Sequence, residues 1–194
     1  MEYQDTREYL KKNLSDMLAV ETHTLESIER QTSDRRIKAN KNAHDILLKI
    51  ERVLISHQSA LEKCLSTFEG GVESTVKKTA SAAIGALAGL YGKWLREDPV
   101  SRCLRDDYTA LSLAAISYTM LHTTARGLGD TKVADMALSH LFDLTPLVVE
   151  LSRSIPIVLT DELAAEGRIL HPEEARKALE ETQRAWSCEA LGNC

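Results

Sequence analysis

The sequence predicts an all-α protein: four long helices in a bundle, a long helical connection between the second and third, and one more helix at the C-terminus. Three observations predict it. Apolar residues recur at helical spacing through most of the 194 residues. Glycine and proline are scarce, at 9 and 4, so few turns can be built. The connection between the second and third long helices holds about 30 residues, far beyond a hairpin loop, and is itself patterned as a helix.

The first helix spans about residues 4 to 31 and places Leu10, Leu14, Met17, Leu18, Leu25 and Ile28 on one stripe. After the polar break Thr32-Ser33-Asp34 a second helix runs to Phe68, with Ala43, Ile46, Ile50, Val53, Leu61 and Cys64 inward. The short break makes the two antiparallel neighbours. Gly70-Gly71 ends the second helix, and Asp98-Pro99 ends the connection, because a residue before proline is pushed out of the helical region. The third helix runs from Ser101 to Leu128 and stops at Gly129, a left-handed cap. Asp130 opens the fourth, which carries Val133, Ala134, Ala137, Leu138, Leu141, Leu144, Val148 and Leu151. Pro146 is expected to bend this helix and Pro156 to end it. The domain plan is therefore a bundle over residues 1–160 and a tail over 161–194, restarted by His171-Pro172-Glu173-Glu174 with proline in the first turn.

The connection, about residues 72–95, contains "SAAIGALAGLYGKW". Its uncharged run from Thr79 to Gly92 is shorter than the ~20 residues of a membrane span. Val72, Val76, Ala80, Ala83, Leu87, Leu90 and Trp94 share one face, with Ser81, Gly85, Gly89 and Gly92 opposite. Interior glycines each cost a helix about 1 kcal/mol, so a face of small residues is expected to receive another helix, either the tail around Trp186 or a second chain. At ~1.5 Å per residue the segment reaches along a whole bundle, which makes the second and third helices parallel, as in single-crossover bundles.

Composition narrows the function. With 43% apolar and 27% charged residues the chain is globular, and a formal net charge of -5 without a basic stripe argues against nucleic acid. Arg35-Arg36 and Lys77-Lys78 read as solvated helix surface. The opening MEYQDTREYL lacks the apolar core of a secretory signal, so a cytoplasmic location is expected. Cys64 and Cys103 read as packed thiols, and Cys188 and Cys194 as reduced, with no zinc-type spacing among the four. No phosphate-binding glycine loop, G-x-S-x-G elbow or recognisable Ser/His/Asp triad is present.

The stretch "YTMLHTTARGLGD", Tyr118 to Asp130, followed by an Ala- and Leu-rich helix, resembles the ferritin-like superfamily, and most of all its bacterial stress-associated members. The likeness covers roughly residues 10 to 160 and leaves the tail outside. It implies a ferritin-like four-helix bundle and a stress-related role. Di-iron members of the superfamily use one Glu from each of two helices and a Glu-x-x-His from each of the other two. None of His23, His44, His57, His122, His140 and His171 follows a Glu by three places, so the di-iron set is largely lost. The pairs His23/Glu26 and His140/Asp143 read as surface pairs, and Asp143 as turned away from the core stripe.

Glu21 does lie mid-stripe on the first helix, where the resemblance puts a ligand; the preferred reading is a buried carboxylate satisfied by a hydrogen bond. His57 is central on the second helix, but counted from the turn near residue 34 it lies about 15 Å from the level of Glu21, too far to share an ion. Tyr118 is expected level with Glu21 and bonded to it, and His122 level with His57, giving a buried polar core of Glu21, Tyr118, His57 and His122. The leading functional expectation is a non-catalytic ferritin-like bundle that acts through protein–protein contacts as a homo-oligomer or with a protein partner, without a metal or other cofactor. The alternative is an iron- or manganese-handling protein with Glu21, Glu51, His57 and His122 as noncanonical ligands.

Overall fold

The computed structural model of the chain describes residues 2–68, 98–169 and 171–186. Every element among them is a helix: α1 (Glu2–Ser33), α2 (Arg35–Ala39), α3 (Lys41–Phe68), α4 (Val100–Gly127), α5 (Thr131–Ala165) and α6 (Pro172–Trp186). The expectations for residues 72–95, including the face of Ser81, Gly85, Gly89 and Gly92, and for Cys188 and Cys194, lie outside the described residues. No helix of the described residues is long and apolar enough to cross a membrane.

The four long helices pack in a closed cycle, α1 on α3, α3 on α5, α5 on α4 and α4 on α1. Their inward stripes meet in one core in which Leu14, Ile28, Ile50, Leu54, Leu61, Leu104, Leu111, Leu144 and Leu151 are wholly buried. Removing each such side chain from water contributes about 1.5–3 kcal/mol, so this core carries most of the stability.

Contacts at the two ends fix the direction of every helix. At one end Arg7 Nη2 donates to the Thr67 carbonyl at 2.6 Å and its guanidinium lies over the Phe68 ring. At the other, Arg36 Nη1 donates to the Asp98 carbonyl at 2.8 Å, and Asn40 Nδ2 to Asp161 Oδ2 at 3.3 Å. Phe68 and Asp98 thus stand at opposite ends, so α3 and α4 run parallel on one diagonal and all neighbours are antiparallel.

The corner after α1 differs from the sequence expectation. Instead of one helix from residue 35 to 68, a five-residue helix α2 is capped by Asp34, whose side chain accepts from Arg36 N, and the chain turns again at Asn40. The Asp34 carboxyl is held below its ordinary range by its hydrogen bonds to Arg36. α2 buries Ile37 and fills the corner, so α3 starts at Lys41. The second difference is at Pro156, which does not end the fourth helix: α5 passes through Pro146 and Pro156 to Ala165. A proline removes one N–H from the ladder at a cost of about 3 kcal/mol. Here packing outweighs that, since Leu151 and Val158 on either side of Pro156 are fully buried.

The continuation of α5 has a purpose at the start of α4. Pro99 occupies the N-cap of α4 without a side-chain cap bond, leaving its first N–H groups without helical partners. Glu162, beyond Pro156, supplies them: its carboxylate accepts from Val100 N and Ser101 N. The α4–α5 hairpin turns at Gly129, whose φ of 80° suits glycine, and Asp130 Oδ1 then accepts from Val133 N at 3.1 Å as the cap of α5.

Candidate metal centre

Midway along the bundle the apolar core is interrupted by a polar layer with contributions from all four long helices. Glu21 comes from α1, His57 from α3, Tyr118 from α4, and His140 and Asp143 from α5. The first four are 0–5% exposed; the Asp143 side chain, at the rim, is 53% exposed.

His57 stands between two carboxylates. Its Nδ1 is 2.9 Å from Glu21 Oε1 and its Nε2 is 3.2 Å from Asp143 Oδ2. Each contact needs a hydrogen. Two are therefore shared among His57, Glu21 and Asp143, and wherever they sit the trio has one net negative charge. Burial raises the Glu21 pKa, and its hydrogen bond to His57 partly offsets this.

His140 lies face to face on His57, ring centroids 3.7 Å apart and planes 4° from parallel. Its Nδ1 is 2.8 Å from the Tyr118 hydroxyl. Burial, followed by the neighbouring His57, pushes the His140 pKa down to about 3, so this ring is neutral. Burial and the Glu21 charge raise the Tyr118 pKa, so the phenol keeps its proton. The phenol faces Glu21 and helps to stabilise the carboxylate, yet Glu21 Oε2 itself has no partner at hydrogen-bond geometry. A fully buried oxygen of this kind is costly to leave unsatisfied.

Glu21, His57 and His140 each offer one donor atom, and these atoms lie within 4.8 Å of one another. Two imidazoles and a carboxylate suit zinc or iron(II). Two donors about 2.0–2.1 Å from one ion are about 2.9 Å apart at a right angle and about 3.3 Å apart at a tetrahedral one, so His57 Nδ1 and Glu21 Oε1, 2.9 Å apart through their hydrogen bond, need little movement to share an ion. A nitrogen lone pair lies in the plane of its ring, so two parallel stacked rings cannot both aim at one ion. An ion here needs one ring to turn out of the stack.

Several sequence expectations are corrected. Glu21 and His57 touch instead of standing about 15 Å apart: with α2 in the corner, Glu21 is twelve residues from Ser33 and His57 sixteen from Lys41, a difference of about 6 Å that the corner absorbs. His140 and Asp143 are not a surface pair turned from the core. His140 belongs to the stripe Val133, Ala137, His140, Leu144, Leu147, Leu151, one notch from the expected one, and Asp143 is carried one turn along to reach His57. His122 is outside the layer; half-buried, its Nδ1–H donates to the Ala134 carbonyl at 2.8 Å and ties α4 to α5. Glu51, half-buried on α3, is also outside it, with its own Oε2 buried and unpartnered.

Tyr118 does share a layer with Glu21, although its hydroxyl is hydrogen-bonded to His140. A count from the hairpin would have found that pair, since Tyr118 is nine residues before Gly127 and His140 nine after Thr131, each about 14 Å from the turn. His23 and Glu26 form a surface pair at 3.7 Å. Cys64 and Cys103 are free thiols, Cys64 packed against the apolar core and Cys103 buried with its Sγ donating to the Pro99 carbonyl at 3.4 Å, and burial pushes Cys103 up to about 12. Trp186, at the end of α6, meets the edge of Tyr108 on α4 with ring centroids 5.7 Å apart. Comparison of the chain with protein-family models, with curated proteins and with solved structures finds no match.

Proposed function

We propose that this chain is a ferritin-like helical bundle that holds one divalent transition-metal ion between Glu21, His57 and His140. The observation that carries the reading is the buried cluster of two imidazoles and a carboxylate with one carboxylate oxygen unpartnered. Charge supports it. If a divalent cation displaces the hydrogen between His57 Nδ1 and Glu21 Oε1, the trio with Asp143 passes from one net negative charge to none, which removes the cost of an uncompensated charge in the core. Among the described residues a di-iron set is not formed: the layer has one fully buried carboxylate and one at the rim, and neither Glu51 nor His122 reaches it. Three protein donors leave positions on an iron(II), manganese(II) or zinc ion for water or another small ligand.

Anaerobic titration of the chelator-stripped full chain with iron(II), manganese(II) and zinc should reach one equivalent of at least one of these ions, and His57→Ala should abolish that binding. Two equivalents would replace this reading with a dinuclear one, and no binding of any of the three would remove it.

A second observation favours action through protein contacts. From Tyr108 to Ala125, α4 has no Asp, Glu, Lys or Arg, and on its side away from the buried Ala114, Tyr118 and Leu121 it presents Ile116 and Met120, 55% and 66% exposed. Apolar side chains on an outward face favour self-association. Light scattering should find dimers or larger species at micromolar concentration, and Ile116→Lys with Met120→Lys should give monomers. A monomeric parent chain would exclude a homo-oligomer formed through this face.

A further inference from the structure

A histidine ligand binds a metal through one nitrogen, and the partner of its other nitrogen decides which one is free. In the polar layer both histidines have such a partner, and the two partners differ in kind. His57 Nε2 faces the rim carboxylate of Asp143 at 3.2 Å, and His140 Nδ1 faces the phenol of Tyr118 at 2.8 Å. A carboxylate accepts a hydrogen, so Asp143 holds one on His57 Nε2, and the hydrogen between His57 Nδ1 and Glu21 Oε1 is the one that an ion displaces. The phenol oxygen, 2.8 Å away, can accept from His140 Nδ1–H. That arrangement leaves His140 Nε2 without a hydrogen.

Resting on the single-ion reading above, we propose that Asp143 and Tyr118 are positioning residues that fix the tautomers of the two histidine ligands, so that His57 offers Nδ1 and His140 offers Nε2 to the ion. Neither residue is a ligand. Asp143 holds His57 from the rim, and Tyr118 holds His140 from α4. The other groups facing the rings are those already named: Glu21 from α1, Tyr118 from α4, and His140 and Asp143 from α5 on His57.

The test combines nitrogen-15 NMR of the histidine rings with ion titration, both on the full chain. In the chelator-stripped parent, His57 Nε2 should carry a hydrogen; in Asp143→Ala that hydrogen should be partly lost from Nε2, while Asp143→Glu should restore the parent pattern. Affinity for whichever ion the parent binds should fall about 10–100-fold in Asp143→Ala and recover in Asp143→Glu. Tyr118→Phe should shift the hydrogen of His140 toward Nε2 and weaken binding over the same range. An unchanged His57 tautomer in Asp143→Ala, or unchanged affinity in both Asp143→Ala and Tyr118→Phe, would overturn the assignment. The ring spectra need no ion, so a parent that binds none would remove the metal reading while the tautomer result still stands or falls by itself.

Discussion

Glu21→Ala should destabilise the protein by about 3–5 kcal/mol, the usual cost of removing one partner from a buried ion pair. It leaves His57 with a bare Nδ1, places Tyr118 and His140 beside a hole, and removes the only α1 carboxylate in the layer. For a chain of this length the loss corresponds to a fall in Tm of roughly 10 °C. Glu21→Gln, which keeps the shape and one hydrogen bond, should cost less, about 1–2 kcal/mol. Replacing Glu21 and His57 together by leucine should cost little or even stabilise, since apolar packing commonly matches or exceeds a buried ion pair. Urea unfolding of the three variants checks this. If Glu21→Ala costs under about 1 kcal/mol, the Glu21–His57 pair does not hold the layer together. If the double leucine variant is as unstable as Glu21→Ala, the polar layer serves stability instead of ligand binding.

The second large effect is a loss of stability in acid that traces to His140. Its folded-state pKa lies near 3, far below the ordinary histidine value of 6.5, because burial disfavours the charged ring. A depressed pKa means that the unfolded chain takes up a proton that the folded chain refuses. The contribution of His140 is therefore intact above about pH 6.5 and falls as pH drops toward 3, by at most about 1.4 kcal/mol per pH unit. Glu21 works in the opposite sense. Its raised pKa favours the protonated carboxyl in the fold, so its contribution falls as pH rises above the ordinary value of 4.5 and is recovered in acid. The two overlap, and the parent curve alone underestimates His140. Stability measured from pH 3 to 8 for the parent, His140→Phe and His140→Asn separates them, with Phe keeping a flat ring against His57 and Asn keeping a polar group near Tyr118. Both variants should lose less stability than the parent on acidification. Parallel curves would mean that His140 is not held neutral.

Much of the fold was legible in the sequence because helix formation and facing are local. The stripe from Leu14 to Ile28, the Gly129 turn with its Asp130 cap, and the helix start at Pro172 each depend on residues within a few positions of one another. The same periodicity placed Glu21, His57 and Tyr118 on inward faces, where the structure buries them.

Axial register is another matter. Whether Glu21 meets His57 depends on how many residues turn the corner, and the five of α2 are there because Ile37 finds a buried place and Asp34 caps the turn, neither of which periodicity records. The persistence of α5 through Pro156 was likewise decided by packing around Leu151 and Val158, and that extension brings Glu162 to the start of α4. His140 was decided by which edge of a broad apolar stripe faces inward, a choice that α3 and α4 make and that α5 alone leaves open. By itself, then, the sequence determined an all-helical chain, its antiparallel pairs and three of the inward polar residues, because those follow from dihedral preferences and spacing along one chain segment. Only the tertiary structure decided that Glu21, His57, Tyr118, His140 and Asp143 form one layer, because their meeting depends on lengths and rotations of helices relative to one another, which are fixed by packing the core as a whole.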